Sequence, residues 1–333
     1  MLRVALLSRW HPHAQSPDER YVKELLRLPE TAVSCVWDSD PDIASAWGAE
    51  YGVPWETDLE AVLSREDVDG VIVTSGAHDH VRIITMAAER KKHIFTEKVL
   101  AFSLSEALLI RDAVVKSGVR FCIAFQRLAI PQLAYAKTLI ESGTIGTPVL
   151  FRCLCGHAQG WQDTLPDYWY SPEITGGGAM IDLGFNSAYL ARYILGEPYS
   201  VSSSFGSAVL QKAVEDVASC NVQFKNGVMA QLDATFDSPL LSVFELSLYG
   251  TEGAYYARFG GCNTAELRVH GKSEMLDVNA LPKPMNSPIR TWYDACTHGA
   301  SDADYGIDAA VDMVRFMVAA YRSAELDGTR VLI

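Results

Sequence analysis

Along the first 125 residues, short runs rich in β-branched and aromatic residues (RVALL, AVSCVW, GVIVTS, HIFTE and VRFCIAF) alternate with stretches of helical character. Apolar runs of this kind mark strands buried on both faces, and strands separated by helices imply a parallel sheet covered on both sides. Ser16-Pro17-Asp18-Glu19 combines an N-cap, a proline at the first helical position and a glutamate able to close a capping box; Ser103 with Glu106 repeats the box. Residues 130–141 read as a connecting helix. Beyond it PVLFRCLC, YSVSSSFG, SCNVQFKNGVMAQLDATF, VFELSLYG and AYYARFG follow one another without helices, which implies an antiparallel sheet. Lys225-Asn226-Gly227 is a hairpin turn, and Ile307, Val311, Val314, Val318 and Tyr321 form one apolar face of a final helix. The pattern therefore predicts an α/β domain with a parallel sheet over residues 1–125. It predicts an α+β domain with a large, open, mainly antiparallel sheet over residues 126–333, its last helix packing back toward the N-terminal domain.

Length agrees, since 333 residues suit two domains. At 49% hydrophobic and 21% charged residues the chain has an ordinary globular composition. A net charge of -13 opposes phosphate backbones, so nucleic acid is not an expected partner. No window approaches the roughly 18 apolar residues of a membrane span, so no membrane is expected either, and the short apolar N-terminus reads as a strand rather than a signal peptide. Seven cysteines without CxxC spacing read as structural thiols in a reducing, cytoplasmic setting. Exposed sheet edges would favour a homodimer or homotetramer.

Six segments, DGVIVTSGAHDH, KKHIFTEKVLA, LIESGTIGTPV, GGGAMIDLGFN, FKNGVMAQLDATF and LYGTEGAYY, stand in an order and spacing that resemble the glucose-fructose oxidoreductase/inositol dehydrogenase/MocA family over nearly the whole chain. The resemblance implies a Rossmann domain followed by an antiparallel-sheet domain. It also implies an NAD(P)-dependent oxidoreductase acting on sugars, cyclitols or related polyols.

The residues that would carry this chemistry can be named. A Rossmann fold holds pyrophosphate at its first helix and uses an acid at the end of the second strand to accept bonds from the adenosine ribose. Asp38 has that place, and its charge would oppose a 2'-phosphate, favouring NAD over NADP; Asp38-Ser39-Asp40-Pro41 also reads as a cap for the next helix. The glycine fingerprint is missing: aligned by spacing, its places hold Ser8, Trp10 and His13. The tryptophan should push the ligand outward or force another loop path, and histidine side chains could then meet phosphate in place of main-chain amides. His11 and His13 could instead bind a metal, but two ligands do not make a site, and no metal is expected.

Thr74, Ser75 and His80 fall where the family's loop passes under the cofactor riboses, His80 serving equally as a cap for a helix over 78–92. Glu97-Lys98-Val99 matches the family's Glu-Lys-Pro, in which the lysine lies between nicotinamide and substrate; Lys98 then holds and accepts the hydroxyl proton that must leave as hydride departs. The plainer alternative is a lysine paired with Glu97. With valine replacing proline, a cis bond there would cost about 2.5 to 4 kcal/mol, so Lys98–Val99 is expected trans, with Lys98 displaced. Asp182 and Asn186 stand where the family has Asp-x-x-x-His, and asparagine can bond a hydroxyl but cannot take its proton. Lys98, Asp182 and Asn186 are thus the catalytic candidates, with Tyr189 one turn further on. Gln126 and Arg127 are placed near the nicotinamide, and Trp161 and Trp169, in a loop with His157, Tyr168 and Tyr170, near the substrate. Both departures from the family pattern keep two other readings open: a non-catalytic cofactor-binding regulator, and a glycosidase-like enzyme that uses NAD without net redox.

Overall fold

The fold is taken from a computed structural model that describes residues 1–15, 17–239, 242–282 and 285–333. The chain divides into two compact units, residues 1–124 with 287–314, and residues 125–286 with 315–333.

In the first unit, β1 (Leu2–Leu7), β2 (Thr31–Trp37), β3 (Trp55–Glu56), β4 (Gly70–Val73), β5 (His93–Thr96) and β6 (Phe121–Ile123) form a six-stranded sheet in the order β3-β2-β1-β4-β5-β6. Every pairing is parallel. Such a sheet needs cover on both faces, and β4 and β6 are buried at every position. The helices α1 (Arg20–Leu25), α2 (Pro41–Tyr51), α3 (Leu59–Leu63), α4 (His80–Glu89) and α5 (Leu104–Ser117) link the strands. The capping box at Ser103 and Glu106 opens α5 as expected. The box at Ser16 lies outside the described residues; α1 starts only at Arg20, after Glu19 in the left-handed region at φ 37°. The expected helix over 78–92 is shorter, because a 3-10 turn at Ala77–Asp79 precedes α4.

In the second unit, α6 (Pro131–Glu141), α7 (Pro172–Thr175) and α8 (Phe185–Leu195) accompany β7 (Pro148–His157), β8 (Pro198–Gly206), β9 (Val217–Phe224), β10 (Met229–Thr235), β11 (Ser242–Gly250), β12 (Gly253–Phe259), β13 (Thr264–Val269), β14 (Lys272–Met275) and β15 (Val331–Leu332). These strands form one sheet ordered β14-β13-β12-β11-β7-β10-β9-β8-β15, antiparallel except where β7 pairs with β10. The β9–β10 turn closes with Gly227 at φ 89°, a left-handed conformation that glycine adopts without cost. Among the described residues no helix is long and apolar enough to cross a membrane.

Two further helices follow, α9 (Pro288–His298) and α10 (Ile307–Glu325). The sequence reading missed α9, although Ser287 caps it, Pro288 opens it and Gly299 ends it at φ 67°. It belongs to the first unit because Trp292, fully buried, packs on Phe95 with ring centroids 6.0 Å apart, over a strand position where only Gly70 leaves room. Along α10 the predicted face breaks at Val318, which is 39% exposed, and the buried stripe passes instead through Met313, Met317 and Ala320. A 3.6-residue helix drifts against a strict three-four spacing, so the inward row shifts by one neighbour over its length.

The segments before β9 and after β10 bring together an ionisable pair. Asp216 is fully buried and accepts main-chain N–H groups from Ala208, Val209 and Leu210 at 2.7, 2.7 and 2.8 Å. Burial, the charge of Asp216 and a hydrogen bond with it push the Asp237 carboxyl up to about 6. A carboxyl raised in the folded state contributes stability below its unfolded value of 3.8 and loses it as pH rises through about 6. Thermal unfolding from pH 4 to 7 should therefore show a falling stability limb that Asp237→Asn removes, the variant being more stable at pH 7 on the order of 1 kcal/mol. Equal pH slopes for the two proteins would contradict this.

Candidate active site

In the first unit β1 ends at Leu7 beside β4, at the point of the strand order where dinucleotides lie in sheets of this topology. Ser8 takes the positive φ of the missing glycine, 67°. The loop then follows a path of its own, through a 3-10 turn at Pro12–Ala14. Its main-chain donors are spent internally: Ser8 on Trp37 O at 2.8 Å, Arg9 on Asp38 Oδ2 at 2.8 Å, Trp10 on Ser8 Oγ at 3.3 Å and His11 on Thr74 O at 3.0 Å. His13 N donates to His11 Nδ1 at 3.1 Å, Ala14 N to His11 O at 2.9 Å and Gln15 N to Pro12 O at 3.0 Å.

Asp38 lies at the end of β2 as expected. It does not cap α2, whose N-cap is Asp40; its carboxylate accepts from Arg9 N and, at 3.1 Å, from Asp40 N. The Arg9 guanidinium pairs with Glu50 at 2.7 Å and Glu19 at 3.6 Å. Thr74 donates its hydroxyl to Ser8 O at 2.5 Å, whereas the buried Ser75 hydroxyl has no hydrogen-bond partner among the described residues. A buried, unanswered hydroxyl at this strand end fits a ribose of a dinucleotide.

Glu97, 1% exposed, receives hydrogen bonds on Oε1 from Tyr21 OH and His13 Nδ1, with His11 Nδ1 3.5 Å away, while Oε2 accepts Lys98 N at 3.0 Å. Burial pushes this carboxyl up, but the His11 and His13 charges and the bonds from His13 and Tyr21 outweigh burial and hold it well below the usual carboxylate range. Glu97 thus binds the loop rather than reaching outward to a cofactor. The three candidate ligand atoms of His11, His13 and Glu97 lie within 4.8 Å of one another. The sequence reading counted two ligands; the buried Glu97 carboxylate adds a third, a set that could hold a metal ion. Lys98 is half-buried, and its bond to Val99 is cis, correcting the trans expectation. That expectation weighed the bond alone and omitted the burial of Val99, Leu100 and Ala101 behind it. His80 is fully buried with Nδ1 3.1 Å from Leu100 O, and burial holds its pKa below the ordinary value. It anchors the Leu100 segment instead of capping α4, whose N-cap is Asp79.

In the second unit the run Gly176-Gly177-Gly178 leads into a π-helical turn, Met180–Gly184, continued by α8. Glu215 holds this start: its carboxylate accepts Gly178 N at 3.0 Å, Met180 N at 2.9 Å and Tyr321 OH at 2.7 Å. A side chain at position 178 would collide with the Glu215 main chain, so glycine is required there. The π turn carries Asp182, whose Oδ2 accepts Trp169 Nε1 at 3.3 Å and lies 4.0 Å from His157 Nε2. His157 ends β7 and stacks on Phe236, centroids 5.1 Å apart. Asn186 follows in α8 with Nδ2 donating to Asp182 O and Leu183 O, both at 3.2 Å, while Oδ1 accepts Tyr189 OH at 3.0 Å. Tyr189 OH in turn accepts Arg127 N at 2.8 Å. Asn186 therefore locks its own helix to the 126–129 turn. The Arg127 guanidinium lies over Phe259 and Phe244, 5.1 and 5.5 Å from their centroids, and Gln126 Nε2 is buried without a partner among the described residues. Trp161, half exposed, donates to Ser238 O at 3.0 Å and is not joined to Asp182 as Trp169 is. The sequence reading missed Tyr21, which no motif marks, and the pairing of His157 with Asp182, for which the strand-end histidine was the available signal.

A parallel unit in dinucleotide-binding strand order, followed by a mainly antiparallel unit bearing a carboxylate beside imidazole and indole, defines a Rossmann-type oxidoreductase. Residues 16–125 match the oxidoreductase family with NAD-binding Rossmann fold, and residues 133–256 match the GFO/IDH/MocA C-terminal domain. The chain belongs to the GFO/IDH/MocA family. It is 29% identical over 235 residues to the scyllo-inositol 2-dehydrogenase (NAD(+)) of Bacillus subtilis, covering 69% of this chain and 67% of that one. With the levoglucosan dehydrogenase of Pseudarthrobacter phenanthrenivorans it shares 26% over 283 residues, 77% of this chain and 72% of the other. The solved structure of a levoglucosan dehydrogenase in complex with NADH and levoglucosan superimposes with a TM-score of 0.86 at 20% identity, over 100% of this chain and 99% of that one, which shows the shared fold.

Proposed function

We propose that this protein is a cytoplasmic NAD-dependent dehydrogenase or reductase that moves a hydride between nicotinamide and a secondary alcohol of a sugar, cyclitol or related polyol. The carrying observation is Glu97-Lys98 at the end of β5, with the Lys98 main chain held by the buried Glu97 carboxylate. When bound, nicotinamide supplies the hydride acceptor or donor. Lys98 would hold the substrate hydroxyl and, as the neutral amine, take its proton. Asp182, oriented by Trp169 and His157, accepts a hydrogen bond from the substrate, and Asn186 keeps the π turn and Tyr189 in place. Trp169 supports the substrate group through Asp182, and Trp161 offers an exposed ring to a sugar face. Asp38, Thr74 and Ser75 would hold the riboses, and Gln126 and Arg127 would serve the nicotinamide.

Turnover of NAD+ with a polyol panel tests this reading. Lys98→Met should lower kcat about 10²- to 10⁴-fold while NADH still binds. Retention of most activity removes Lys98 from proton transfer, and NADH binding by the native chain without turnover on any polyol would favour a regulator.

Cofactor choice follows from Asp38 and from Arg9, whose guanidinium is committed to Glu50 and Glu19 and so is not offered to a 2'-phosphate. NADH should bind more tightly than NADPH, with Asp38→Ala narrowing the gap; tighter NADPH binding by the native protein overturns the assignment.

The protein is further proposed to be a homodimer or homotetramer. One sheet face carries Leu150, Leu154, Val217 and Met229, none of them fully buried, Val217 and Met229 at 38% and 43% exposure. Light scattering should give a multiple of 36.5 kDa, and a monomer at micromolar concentration would contradict it.

A further inference from the structure

The loop after β1 presents an unusual problem for a dinucleotide. Residues 8–19 contain no glycine. The main-chain N–H groups of Ser8, Arg9, Trp10, His11, His13, Ala14 and Gln15 all bond within the protein, and Pro12 has none to give. The helix that follows has six residues and opens from a left-handed Glu19, so its N-terminus offers little. Amides that elsewhere cradle a diphosphate are unavailable here.

Side chains must answer in their place, and the loop narrows the choice. Arg9 is bound to Glu19 and Glu50, and Lys23 to Glu19 and Pro17 O. His13 remains. Its Nδ1 contacts Glu97 Oε1 and, at 3.1 Å, Tyr21 OH; the ring is packed by His11 at 4.4 Å and Tyr21 at 5.8 Å between centroids. The side chain is 24% exposed, and no described residue bonds its Nε2. Glu97 from the end of β5, Tyr21 from α1 and His11 from the loop itself are the titratable groups that face it. A carboxylate on one ring nitrogen is the usual device for orienting an imidazole toward a ligand at the other.

We propose that His13, gripped by Glu97 through Nδ1–H, binds the dinucleotide diphosphate as an imidazolium through Nε2–H, replacing the glycine-loop amides with one charged side chain. This rests on the cofactor reading above. Because neutral imidazole has a single N–H, bonding Glu97 and the diphosphate together needs N–H on both ring nitrogens.

The test uses ADP, which carries the diphosphate without nicotinamide, beside adenosine and NADH, by calorimetry at pH 7.5. The native protein should bind both ADP and NADH. His13→Gln should bind ADP and NADH at least ~10-fold more weakly, with adenosine unchanged. His13→Lys, which keeps a cation at the position, should keep ADP affinity, which separates the charge from any loss of folding. ADP bound equally by native protein and His13→Gln overturns the inference while leaving NAD use intact. Failure of the native protein to bind either ADP or NADH overturns both. Stoichiometric transition metal in the purified protein, lost in His13→Gln, overturns it in favour of a metal centre.

Discussion

The first unit is organised around one buried carboxylate. A lone ionised glutamate at 1% exposure would cost several kcal/mol, and it is tolerable only because each oxygen is answered. Tyr21 from α1 and His13 from the β1–α1 loop meet Oε1; the next main-chain N–H meets Oε2. One side chain therefore fixes the loop path, the seating of α1 and the course of the chain at Lys98. Removing any partner leaves charge buried, so the three elements stand or fall together.

The second unit uses a carboxylate differently. Glu215 answers the unsatisfied N–H groups where the π turn begins, and the triple glycine admits its main chain. The π turn then presents Asp182 to Trp169 and His157 rather than into a regular helical stack, in keeping with the frequent use of such turns at functional positions. Asn186, in the place of a family histidine, has both ends of its amide engaged by its own helix and by Tyr189. An imidazole is nevertheless present beside the aspartate, supplied by the end of β7.

Periodicity made the two sheets legible, because burial on two faces and on one face write different patterns, and the capping box at Ser103 was readable because it is local. Asp38 could be placed by its strand end. What depended on distant partners was hidden. The internal bonding of the loop amides requires Trp37, Asp38 and Thr74 to arrive beside it, and nothing near Tyr21 in sequence announces Glu97. The cis bond at Lys98 reflects packing by residues whose burial no local rule expresses. His80 was misread for the same reason, since its partner is the Leu100 carbonyl, twenty residues on. The missed α9 is a different case: its cap, proline and closing glycine were all visible, but the run of strands before it drew the reading away.

The central claim is that a hydride passes between a polyol carbon and nicotinamide. A polyol deuterated at its carbinol carbons, incubated with NAD+ and the protein, tests it directly by NMR of the recovered cofactor. The account predicts deuterium on C4 of the nicotinamide, one per ketone formed. Polyol converted with the label retained on the sugar product, or lost to water while NAD+ is recovered unlabelled, would contradict it.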